Sequence, residues 1–191
     1  MNRDIQDIFQ PLRSDGIETV TFPMVVRRID AADAADHLNL TPDYQRDYVW
    51  SDRQAEQFVG HMIEGGQVAP VIVQRYPIQR GGVTSDEVID GQQRLRSVYR
   101  WMKGEIAAEL HDGSMVRIDD LDAESQRVIR SSGWLTGPHF SIQYVSLPRA
   151  ERLRLYLRLN RGGTVHTDAE IGRVRAMLAE EMARLQPSVT P

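Results

Sequence analysis

Apolar and polar residues alternate from Ile17 to Ile29, with Val20, Phe22, Met24 and Val26 at every second position, which predicts a half-buried strand. Pro23 within that run places it at a sheet edge, where a missing N–H costs no ladder bond. Further on, Ser51 and Gln54 have the spacing of a capping box and predict a helix from Asp52 to about Glu64, stopped by Gly65-Gly66. The β-rich run Val71 to Tyr76 and a second one at Glu87-Val88-Ile89 predict two short strands, separated by loop composition from Pro77 to Ser85. A helix is expected directly after Asp90-Gly91, with Leu95, Val98, Tyr99 and Met102 on one face and Gly104 near its end.

Beyond that helix, Ile106 to Leu110 and Met115 to Ile118 flank His111-Asp112-Gly113-Ser114 as the arms of a hairpin. Asp122 suits the cap of a helix running through Arg130, and His139 to Val145 reads as another strand. From Pro148 the period becomes helical, with Leu153, Tyr156, Leu157 and Leu159 ahead of Asn160-Arg161-Gly162-Gly163. Thr167 with Glu170 makes a second capping box for a final helix, and the tail from Gln186 to Pro191 is expected to fray.

Composition narrows the function classes. With 191 residues, of which 41% are hydrophobic, the chain is large enough for a core of its own. There is no cysteine, which excludes thiolate chemistry and disulfides. No apolar run is long enough to cross a bilayer and Met1 to Gln10 lacks the order of a signal peptide, so no membrane partner and a cytoplasmic location are expected. A net charge of −4 is not that of a protein that coats nucleic acid, so any DNA contact must be local. Neither glycine signature of a dinucleotide or P-loop fold occurs.

The junction of a strand, Asp90-Gly91 and a helix carries the candidate chemistry. Backbone N–H groups at a new helix start lack internal partners, Gly91 lets an anion approach the chain, and Arg94 can present a forked charge to phosphate oxygens. Asp90 beside a phosphate needs a reason: a bound divalent cation, a proton to accept, or a ribose or basic neighbour to bond. Gln92 and Gln93 can orient water or contact a base without adding charge.

Three ordered segments resemble the GmrSD restriction endonuclease N-terminal domain family. These are Tyr44-Gln45-Arg46-Asp47-Tyr48-Val49-Trp50-Ser51, then Val88-Ile89-Asp90-Gly91-Gln92-Gln93-Arg94-Leu95, and finally Leu157-Arg158-Leu159-Asn160-Arg161-Gly162-Gly163 with Thr167, Glu170 and Ile171. The resemblance implies an α+β, ParB/sulfiredoxin-like fold: a small mixed sheet with flanking helices. On that view residues 1–147 form the catalytic or nucleotide-binding core and residues 148–191 a helical extension on the same compact unit. It also implies a Mg²⁺-dependent NTP phosphohydrolase or phosphotransferase acting in DNA restriction, phage–host conflict or DNA modification. Asp90, Gln92, Gln93 and Arg94 would be catalytic, with Asp90 also the metal ligand. Gln45, Arg46, Gly91, Arg94, Asn160, Arg161, Gly162 and Gly163 would hold the nucleotide.

Other readings stay open: a kinase of modified DNA bases, a free-standing nickase, or a DNA-binding or regulatory subunit of a split nuclease. The expected partners are DNA and a separately encoded nuclease or base-modifying enzyme. His111, His139 and His166 are too scattered for a His-Asn-His nuclease site, and His37 and His61 read as surface or core histidines rather than ligands. Arg96 and Arg100, at i and i+4 on one helix face, are the candidates for DNA phosphate contacts. Trp50 is expected to pack as a staple on the helix that follows it.

Overall fold

The computed structural model describes residues 14–34, 36–76, 85–131, 137–160 and 167–185. The predicted loop at 77–84, Arg161, Gly162, Gly163, His166 and the tail from Gln186 lie outside the described residues. The first strand, β1 (Gly16–Thr21), ends sooner than the alternation suggests, and α1 (Phe22–Asp30) begins at once. Pro23 therefore sits in the first turn of a helix, where its missing N–H would have had no partner. Phe22 and Val25, three apart, are both buried, so the helical period takes over where the period of two was read. The edge assignment holds for β1 itself.

Apart from the two-residue strand β2 (Leu38–Asn39), which the sequence pattern does not predict, the remaining elements follow that pattern closely. They are α2 (Asp52–Ile63), β3 (Val71–Gln74), β4 (Asp86–Asp90), α3 (Gln92–Met102), the hairpin β5 (Ala108–Glu109) and β6 (Met115–Val116), α4 (Ala123–Arg130), β7 (His139–Val145), α5 (Arg149–Leu159) and α6 (Asp168–Leu185). Ser51 and Gln54 close both halves of the capping box on α2. Thr167 and Glu170 exchange the same pair of bonds at the start of α6. Asp122 caps α4 through the Ser125 N–H.

The main sheet has the order β1-β7-β3-β4-β2 and is mixed: β1 and β4 run antiparallel to their neighbours β7 and β3, whereas β7–β3 and β4–β2 are parallel. Successive side chains therefore feed opposite faces. On one face Val71, Val73, Val88, Phe140 and Ile142 pack with Val25, Val59, Leu95, Val98 and Trp101 from α1, α2 and α3. On the other, Ile72, Ile89 and Val145 pack with Leu153, Tyr156 and Val174 from α5 and α6. The chain is thus an α+β fold with helices on both sides of the sheet, and the turn between β4 and α3 lies between the two cores.

The hairpin lies against α2 because Gly60 has no side chain: a Cβ there would fall 1.8 Å from the Glu109 carbonyl oxygen. Glu64, capping the end of the same helix, bonds the His111 ring and accepts from the His111 N–H. Among the described residues no helix is long and apolar enough to cross a membrane.

Candidate functional site at the turn between β4 and α3

Gly91 turns the chain from strand to helix in the left-handed region, at φ 104°, and provides no side-chain cap for the amides of the first turn of α3. The turn opens on a polar cleft of about 160 Å³, to which Gln45, Arg46, Asp90, Gly91, Gln92, Gln93, Arg94 and Asn160 all contribute. All three resembling segments therefore meet in one place, although they are far apart in the chain.

Arg94 lies across the turn. Its Nη2 is 2.7 Å from Asp90 Oδ2, and the same guanidinium donates to the Ala69 and Pro70 carbonyl oxygens ahead of β3. Of the three reasons a carboxylate can stand at this turn, the basic neighbour is the one the structure displays. The Asp90 side chain is 37% exposed and that of Arg94 14%, so the pair offers its acid to solvent and keeps its base against the fold.

The three glutamines have backbone partners. Gln92 is buried and donates from Nε2 to the carbonyls of Leu40 and Arg46, both at 2.9 Å. Gln93 Oε1 accepts from the Val49 and Trp50 N–H groups, and its Nε2 donates to Asp47 O and Gln92 Oε1. Gln45 Nε2 donates to Val88 O and Ile89 O, both at 2.9 Å. These bonds tie the segment 40–50 to β4 and α3 and so fix where Arg46 enters the cleft.

Two residues that the sequence reading passed over belong to this neighbourhood. Arg173 of α6 donates to Gln45 O at 2.6 Å, which joins the last helix to the wall of the cleft. Tyr156 of α5 is buried on the other side of that wall, and burial pushes its phenol up to about 12, against the favourable charges of Arg46 and Arg173. Its helical spacing marks Tyr156 only as a core residue, and Arg173 looks like one more exposed arginine. Asn160 closes α5 and donates from Nδ2 to Tyr156 O.

Arg96 and Arg100 lie elsewhere. Arg100 pairs with Asp52 at 2.8 Å and Glu105 at 3.4 Å and lies over the Tyr48 ring, while Arg96 lines a separate cleft with it. Trp50 packs edge-on against Phe58, one turn farther along α2 than a staple would reach.

Residues 30–176 match the family described as GmrSD restriction endonuclease, N-terminal domain. No curated protein and no solved structure matches the chain. The matched span contains every described wall of the cleft, from Gln45 to Asn160, as well as Arg173. The chain belongs to the GmrSD restriction endonuclease N-terminal domain family.

Proposed function

We propose that the cleft at Gly91 binds the phosphates of a nucleoside triphosphate, and that the protein hydrolyses or transfers a phosphoryl group in the service of DNA restriction. The observation that carries this reading is the Asp90–Arg94 pair at a left-handed glycine turn, with uncapped helix amides and Arg46 in the same polar cleft. Amides and guanidinium groups attract a polyphosphate, and Arg94 offsets the repulsion that Asp90 alone would exert. The volume of about 160 Å³ is below the roughly 300 Å³ at which pockets begin to enclose drug-sized ligands. The phosphate chain accordingly occupies the cleft and the base stays outside it, which predicts weak base preference.

Among the described residues no cluster of three metal-binding side chains occurs. Mg²⁺ needs none when it arrives with a nucleotide, because one carboxylate and the phosphates suffice. Asp90 has a second oxygen beyond the one on Arg94 and would hold the ion, whose contribution is to neutralise phosphate charge. Where that second oxygen does not hold the ion, it would instead accept the proton of an attacking hydroxyl. Gln92 and Gln93, with amides bonded to the backbone, act by holding Arg46 and the first turn of α3 in place.

The test is Asp90→Ala, followed by phosphate release, label transfer to DNA and strand scission from one incubation with NTP and Mg²⁺. Turnover should fall by about 100-fold or more. Undiminished NTP consumption by the variant removes Asp90 from the chemistry. Label on DNA identifies a DNA kinase, and scission without NTP a nickase.

A second reading draws on the same glutamines. With both amides engaged by the backbone, the cleft is also suited to a nucleotide-sensing module that regulates a nuclease carried on another chain. Nucleotide binding with none of the three products selects that reading.

A further inference from the structure

We propose that Arg173 is a positioning residue of the nucleotide site: it holds the peptide that carries Arg46 into the Gly91 cleft, and so couples the docking of α6 to occupancy of that cleft. The coupling rests on the nucleotide reading of the cleft. To walls formed by β4, α3, the end of α5 and the segment 40–50 it adds α6, which lines none of the cleft itself.

Arg46 stands in a stretch without regular secondary structure, so its direction depends on what grips the chain on either side of it. Its own carbonyl accepts from Nε2 of Gln92, on α3, at 2.9 Å. The carbonyl of Gln45, the next one back along the chain, accepts from Nη2 of Arg173, on α6, at 2.6 Å. The second bond is charge-assisted and therefore the stronger of the two. Arg46 leaves the chain where these two grips meet. The phenol of Tyr156, raised chiefly by burial, also feels Arg46, Glu170, Arg173 and Asp90, so the charges of the cleft and those of α6 converge on one ring.

The helix that supplies this grip is itself lightly held. Of the 18 residues of α6, Val174 alone is buried, directly beside Arg173, and Met177 and Leu178 reach the same core only half-covered. An element with so little buried apolar surface opens locally at low cost. When α6 opens, Gln45 loses its charged donor and one end of the Arg46 peptide is released. The opened chain then binds a polyphosphate less tightly. Linkage requires the converse by the same factor: a bound polyphosphate holds α6 down. Occupancy of the cleft thereby becomes legible on an exposed helix.

The experiment uses the full chain with Mg²⁺ and two non-hydrolysable probes, the β,γ-imido analogues of ATP and GTP. Calorimetry gives their affinities for the unaltered protein, Arg173→Gln and Arg173→Lys, while hydrogen exchange follows residues 168–178 with and without probe. Arg173→Gln should bind about tenfold more weakly, and Arg173→Lys, which keeps a charged donor, should recover most of that loss. Saturating probe should slow exchange across 168–178 of the unaltered chain by about the same factor, and should not slow it in Arg173→Gln. A contact that merely braced the helix would speed exchange in the variant and leave the unaltered chain indifferent to probe. Undiminished affinity of Arg173→Gln, equal loss in the two variants, or bound probe with unchanged exchange in α6 overturns the coupling and leaves nucleotide binding standing. Binding of neither probe by the unaltered protein overturns the nucleotide reading and the coupling with it. Exchange in the unaltered chain decides the matter even where Arg173→Gln does not fold.

Discussion

A methyl group on Gly91 would lie 2.8 Å from Val71 Cγ2 and 3.2 Å from Nη2 of Arg94, in a backbone region that side chains rarely adopt. Conformation and space therefore forbid the same change. Gly91→Ala should cost about 1 to 3 kcal/mol of stability, measured by denaturant unfolding. It should also displace Arg94 from Asp90 and with it weaken nucleotide binding, which a calorimetric titration reads. At this scale Asp90, Gly91 and Arg94 were visible in the sequence because their spacing spells a turn and one helical step. The duties of Gln45, Gln92 and Gln93 were not. An amide side chain serves a ligand or a backbone equally well, and only the approach of the segment 40–50 decides between them.

Elements with a chemical punctuation mark were legible to within a residue or two. Ser51, Asp122 and Thr167 cap the helices they were expected to cap, because each carries its own hydrogen-bonding partner three residues on. The stretch from Ile17 to Ile29 was misread because a period of two and a period of 3.6 share their early positions, and Pro23 suits an edge strand and a first helical turn alike. The contact of the hairpin with α2 makes a prediction about pH. Glu64 holds the His111 imidazole above its ordinary range, and His111 holds the Glu64 carboxyl below its own. The raised histidine contributes fully below its unfolded value and is lost as pH rises through its folded one. The lowered glutamate contributes above its unfolded value and is lost as pH falls through its folded one. The pair thus clamps the hairpin in the mildly acidic interval between. An NMR titration should show His111 protonating above its ordinary value of 6.5, and Glu64→Gln should bring it back.

For the molecule as a whole, the layer of α5 and α6 is tied to the sheet by polar contacts as well as by its apolar core. Arg152 of α5, 5% exposed, has Nε 3.5 Å from Glu87 of β4 and lies near the Tyr44 and Tyr76 rings, while the Tyr44 hydroxyl donates to the same carboxylate. Removing the acid strands a buried cation. Glu87→Ala should lower unfolding stability by about 3 to 5 kcal/mol, and adding Arg152→Met should restore much of it, as a denaturant series on the three proteins will tell. Hydrophobic periodicity reveals which residues are inside but not which face of a sheet each serves, so the division into two cores became visible only with the strand order.

The bond from Gln45 to the carbonyls of Val88 and Ile89 reaches beyond the clefts. β2 pairs with Asp86 and Glu87 alone, which leaves the outer rim of β4 without a strand where it nears Gly91. A bare rim of that kind recruits foreign chains and seeds aggregation. One amide blunts it, so the sheet can stop short beside an open cavity without becoming adhesive.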